Sequence, residues 1–165
     1  MFRPNDEWPR IAAERGHGAM LYTILLSLIP AAASFVMVRD SDLKVPESAV
    51  LATYLASLLT VFCVAAAFWL LVKLDSRDES LRRCMQVAAY GATPLFLASA
   101  LLVTPVLVIV CVVAAPYVFY LYYLGAQQLL GVPRREAAQF VAIALVAAFA
   151  ASTLGGGAVG SLALL

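Results

Sequence analysis

The sequence predicts an all-α fold, a polytopic transmembrane helical bundle of five spans. Three observations lead there. The 165 residues are 64% hydrophobic and 13% charged, with mean hydropathy +0.93, leaving too little polar material for the wet surface of a soluble domain. The apolar residues come in runs near the roughly 20 that a helix needs to cross a hydrocarbon layer about 30 Å thick. Short charged loops separate the runs, and short alternating segments of the kind that build a transmembrane barrel do not occur. The net charge of +1 implies no nucleic-acid partner.

Residues 1–17 form a polar N-terminal head. Trp8, Ile11 and Ala12 share one face of a short helix, with Arg10, Glu14 and Arg15 opposite, and Asn5 or Asp6 in capping position. Such a segment lies along the membrane surface as an interfacial helix, or stays a tail with Trp8 as interfacial anchor.

Span 1 covers about residues 18–38 and contains Pro30; the small residues Ala31–Ser34 resemble a cleavage site, but continuing apolar sequence and acidic residues in the head favour a retained helix. A polar loop over 39–48 leads to span 2, about 49–72, with Trp69 near its end. Residues 73–83 are the most charged stretch, and Ser76 with Glu79 has the spacing of a capping box. Span 3 covers about 84–103 and span 4 about 105–130, where Thr104 and Pro105 suit a helix start, Gly131 a C′ position and Pro133 the first position of the next helix. Span 5 covers about 137–154, with Ala138, Ala142, Ala148 and Ala151 available for close helix contact and a helix end fraying at Gly155–Gly157.

Spans 3 and 4 come from one uncharged run, Cys84–Pro133, too long for a single crossing and flanked by Arg83 and Arg134. Pro94, Pro105 and Pro116 sit within it, each eleven residues from the next. With the hairpin turn at Thr104–Pro105, Pro94 and Pro116 lie at matching depth, about 16 Å from the turn at 1.5 Å per residue. Thr93–Pro94 allows either a proline-containing continuous helix or a new helix start. Pro116, Tyr120, Tyr123 and Gln127 recur as one helical stripe, which suits packing against Gln86 and Tyr90 of span 3. The stripe reads as an aromatic belt with glutamines at a helix end, as a partner- or lipid-facing groove, or as polar glue between helices.

Nine basic residues, Arg3, Arg10, Arg15, Lys73, Arg77, Arg82, Arg83, Arg134 and Arg135, fall on one side of this arrangement, and two, Arg39 and Lys44, on the other. The positive-inside rule then gives a cytoplasmic N-terminus and an outer C-terminus.

The spans contain no Asp, Glu, Lys or Arg, which disfavours an ion- or proton-coupled carrier. His17 is the single histidine and stands at a span edge without a nucleophile or ligand set near it in sequence. Cys63, Cys84 and Cys111 are widely spaced and read as small apolar filler. No catalytic residue, metal site or cofactor is expected.

Several stretches resemble the Yip1 domain family of integral membrane proteins in its shorter bacterial form. These are the head sequence DEWPRIAAE, the basic loop before span 3, Tyr90-Gly91-Ala92-Thr93-Pro94, and Tyr122-Tyr123-Leu124-Gly125 followed by Gly131-Val132 and Arg135-Glu136-Ala137. The long N-terminal region of eukaryotic relatives, with its Asp-Leu-Tyr-Gly-Pro motif, is absent. The resemblance implies five spans, a cytosolic N-terminus and a place in the bacterial inner membrane. Eukaryotic relatives act in vesicle trafficking, bind Rab-type GTPases and help shape membranes.

The expected function is a non-enzymatic membrane scaffold or accessory subunit, with membrane lipid and other integral membrane proteins as partners. Self-association through the small residues of span 5 stays open. The alternative is a small transport or permease component with a site in the span 3 and 4 hairpin. Its candidate packing or groove residues are Gln86, Tyr90, Gly91, Thr93, Pro94, Pro116, Tyr120, Tyr123 and Gln127.

Overall fold

In this computed structural model the described residues are 8, 11, 17–40, 48–75, 80–100 and 108–162. They form seven helices: α1 (His17–Leu26), α2 (Leu28–Asp40), α3 (Ser48–Leu74), α4 (Leu81–Gly91), α5 (Thr93–Ser99), α6 (Val108–Leu129) and α7 (Arg134–Leu162). The expected turn at Thr104–Pro105 and the capping box at Ser76 and Glu79 lie outside the described residues.

The all-α bundle stands, but the count of five spans does not. Among the described residues three helices are long and apolar enough to cross a membrane: Gly18–Val36, Ser48–Leu74 and Arg134–Leu154. The expected third span is divided at Ala92 into helices of 11 and 7 residues, each well short of the roughly 20 needed. The expected fourth span corresponds to α6 (Val108–Leu129), which is not among those three.

Proline accounts for both helix interruptions. A proline in a helix lacks the N–H that would bond four residues back, and its ring presses on that carbonyl. Pro30 does this to Leu26, and the chain turns at Ser27, between α1 and α2. Back-bonding hydroxyls reinforce the bend there, from Thr23 Oγ1 to the Ala19 carbonyl and from Ser27 Oγ to the Thr23 carbonyl, both at 2.8 Å. Pro94 acts likewise between α4 and α5. The break is gentle, because Ala92 keeps helical backbone angles (φ −75°, ψ −14°).

Helix α3 is the centre of the molecule, packed against α2, α4 and α7. Its Val61, Val64, Ala65, Phe68 and Val72 form a buried stripe at helical spacing. Helix α7 meets α3 through Ala137, Val141, Ala144 and Ala148. Of the alanines expected at this contact only Ala148 is buried; Ala138, Ala142 and Ala151 are exposed. The real stripe is offset because Val141 belongs to it, and a search for small residues alone passes over a valine. The Phe68 and Phe140 rings stack across the same interface at 5.9 Å.

Helix α6 ends as the glycine predicts. Gly131 has φ +63°, and the Val132 amide donates to the Ala126 carbonyl at 3.1 Å, which satisfies a carbonyl at the helix end. Pro133 stands one position earlier than expected, before α7, with its carbonyl accepting from the amides of Glu136 and Ala137. Helix α7 does not fray at Gly155 but continues to Leu162.

Candidate functional site

The expected site residues of α4 and α5 surround a joint where the head, α1, α4 and α6 meet. Gln86 faces inward from α4 and is 3% exposed. Its Nε2 donates to the Ile11 carbonyl at 3.1 Å, which ties the head to the bundle across 75 positions of sequence. Trp8 is fully buried, so it is a core residue and not an interfacial anchor. Its ring lies on Gly125 of α6, where an added Cβ would stand 2.9 Å from Trp8 Cη2 and 3.0 Å from Val87 Cγ1. A side chain at 125 would therefore push the indole out. Trp8 Nε1 is buried without an acceptor, a loss of about 1–3 kcal/mol that its packing has to exceed.

The second half of the joint is the α4–α5 break. The Tyr90 ring packs on Tyr22 of α1 with centroids 4.8 Å apart. The Tyr22 and Thr93 hydroxyls are hydrogen-bonded at 2.8 Å. Thr93 is thus the first residue of α5 and a link to α1, rather than a cap. Pro94 follows in the first turn. Gly91 is buried against Tyr122, whose ring atoms Cε1 and Cδ1 would overlap any added Cβ. The Tyr122 hydroxyl donates to the Ala88 carbonyl at 3.4 Å, a long bond, and its ring packs on Phe68 at 5.6 Å. The Tyr122 ring therefore occupies the one position where α4 has no side chain.

The expected α6 stripe does not join this cluster as a unit. Pro116 and Tyr120 are exposed, and the Tyr120 ring pairs with Tyr117 at 6.5 Å on the outer face. Tyr123 is half-buried against the core. Gln127 Nε2 donates back to the Tyr123 carbonyl of its own helix at 3.2 Å. The inward face of α6 instead carries Val118, Leu121, Tyr122, Gly125 and Ala126.

Sequence reasoning missed Trp8, Tyr22, Tyr122 and Gly125 as members of the joint. A signal for one of them was present: Gly125, like the expected Gly91, is a single glycine within a helix. The pairing itself is long-range and has no local trace.

Beyond the break a cavity of about 280 Å³ lies among α3, α5, α6 and α7, lined by Val61, Phe96, Val118, Tyr122, Leu145 and Phe149 among others. Its walls are nearly all apolar, which suits a hydrocarbon chain or a dry gap better than a polar solute. Among the described residues no group of three or more His, Cys, Asp or Glu could hold a metal ion.

The chain matches no curated protein and no solved structure. The Yip1 domain profile matches residues 1–155. That span includes every stretch of the joint: Trp8 and Ile11 of the head, Tyr90 to Pro94 at the break, and Tyr122 to Gly125 on α6. The chain is a multi-pass membrane protein that belongs to the Yip1 domain family.

Proposed function

We propose that this protein is a non-enzymatic membrane scaffold or accessory subunit that associates with other integral membrane proteins. The observation that carries this reading is the use of its interior polar side chains. Gln86 holds the head, Tyr22 holds Thr93, and Tyr122 reaches the Ala88 carbonyl. These three side chains are spent on keeping elements together, which is what a rigid platform requires. Pro116, Tyr117 and Tyr120 are exposed on the outer face of α6 and form the partner-facing surface in this reading.

The transport alternative draws less support. It needs Gln86, Thr93 and Tyr120 on one polar space, whereas Gln86 is buried against the head, Thr93 binds Tyr22, and Tyr120 is 43% exposed.

We also assign the N-terminus to the cytoplasmic face of a bacterial inner membrane. Nine basic residues against two support this orientation, and three crossings, like any odd number, put the C-terminus outside. Both ends of the segment between Ser80 and Pro133 then lie on the cytoplasmic side, next to Arg82, Arg83, Arg134 and Arg135.

Recovery from membranes in mild detergent after crosslinking tests the scaffold reading. Integral membrane proteins recovered reproducibly with the chain support it. A strictly monomeric protein with no reproducible partner overturns it.

A further inference from the structure

Trp8 is placed in the bundle with one need met and one unmet. Its ring is fully buried, as Ile11 is almost completely, and the Cζ2–Cη2 edge rests on Gly125 of α6, in a slot that Val87 of α4 also lines. Its Nε1 has no acceptor there, and it is the one buried side-chain polar atom without a partner among the described residues. An indole N–H can only donate, so the docked position leaves this group unsatisfied.

A second position meets that need. Trp8 lies ten residues before Gly18, where the first candidate crossing begins, so a membrane surface is within about 35 Å of extended chain. Trp8 and Ile11 are also the apolar side of the amphipathic pattern in the head, with Arg10, Glu14 and Arg15 opposite, which suits a helix lying in the interface. The same two side chains therefore have two compatible apolar surroundings. In the interface the ring stays out of bulk water while Nε1 reaches water or lipid oxygen. Leaving the slot gives up the packing on Gly125 and the bond from Gln86 to the Ile11 carbonyl; arriving in the interface satisfies the donor.

We propose that the head segment carrying Trp8 and Ile11 is a two-position strap. It closes the joint with the indole on Gly125, and it opens the joint with the same indole in the membrane interface. The unsatisfied Nε1 is what keeps the closed position from being permanent. Release uncovers the slot between Gly125 and Val87 and unties the head from α4. The strap needs no partner protein and works on either face of the membrane, so its test is independent of the scaffold reading and of the orientation.

The test is fluorine NMR of the full chain in phosphatidylcholine nanodiscs. Trp69→Phe, at a partly exposed position, leaves Trp8 as the single tryptophan, labelled as 4-fluorotryptophan so that the fluorine is off the edge that rests on Gly125. The closed resonance dominates, with an open population below about 10%. Gly125→Ala and Gln86→Leu each make the open resonance the main one, and a lipid with a nitroxide near its headgroup broadens that resonance selectively. Saturation at the open frequency attenuates the closed resonance of the parent, because the two exchange. Circular dichroism shows that each variant is folded, and Gln86→Leu serves if Gly125→Ala is not. In the parent, 3-benzothienylalanine at position 8, with sulfur in place of the N–H, slows tryptic cleavage at Arg10 by about fivefold, since cleavage tracks the open population and closing no longer strands a donor. A parent resonance that saturation leaves unchanged overturns the proposal, as does an open resonance that the nitroxide lipid does not broaden, which would place the released head in water. Cleavage as fast with the sulfur isostere as with tryptophan overturns the role given to Nε1 and the strap with it.

Discussion

A methyl group at Gly91 would land in the Tyr122 ring, while one at Gly18 would meet nothing within 4 Å. The same substitution should therefore have opposite signs at the two sites. Gly91→Ala destabilises by about 1–3 kcal/mol through overpacking, and Gly18→Ala stabilises by about 0.5–1 kcal/mol by restricting the unfolded chain. Thermal unfolding in detergent reads both, with the midpoint falling for the first and rising for the second. Trp8 provides a second contrast. Trp8→Ala removes a fully buried ring and should cost about 3–5 kcal/mol, or release the head, which limited proteolysis near residues 9–16 detects. Trp8→Phe keeps most of the packing and deletes the unpaired Nε1, so its head stays protected. Equal protease sensitivity of the two variants would mean that ring packing does not hold the head.

Some helix bounds were legible in the sequence where local chemistry decides them, although the breaks before Pro30 and Pro94 fall inside runs read as single spans. Pro30 and Pro94 lie just beyond the two interruptions, Gly131 closes α6, and α3 (Ser48–Leu74) covers the expected span at 49–72. Facing was less legible, because the chain is apolar nearly all round and periodicity has little contrast to work with. Helix α7 buries Ala137, Val141, Ala144 and Ala148, of which only Ala148 was among the alanines expected there. The offset is testable. Ala144→Leu should disturb the α3 contact and lower the unfolding midpoint, at a cost of about 1–3 kcal/mol. Ala142→Leu, on the exposed face, should stay within about 0.5 kcal/mol of the parent. The facing of the α6 stripe was hard to read for the same reason. Tyr120 and Tyr122 are both tyrosines in an apolar helix, and only the tertiary contact with Gly91 distinguishes the buried one from the exposed one.

For the whole molecule, charge was the readable signal and crossing number was not. The nine-to-two distribution of basic residues gives the same orientation with three crossings as with five, because both numbers are odd. Length of uncharged sequence was a poor guide, since the run from Cys84 to Pro133 contains a helix break that composition does not weigh. Cysteine labelling checks the orientation on a background with the native cysteines replaced by serine. Ser48→Cys should react with a membrane-impermeant reagent in intact cells, and Ser80→Cys only after permeabilisation; the reverse pattern inverts the assignment. The central claim, that a polar-locked bundle presents its outer faces to other membrane proteins, is tested most directly by photocrosslinking in living cells. A photoreactive amino acid is placed at exposed Tyr120, at exposed Phe149, and at buried Val141 as a control. The account predicts discrete adducts with integral membrane proteins from Tyr120 or Phe149 and none from Val141. Absence of protein adducts from both exposed positions, in a chain that purifies alone, would contradict it.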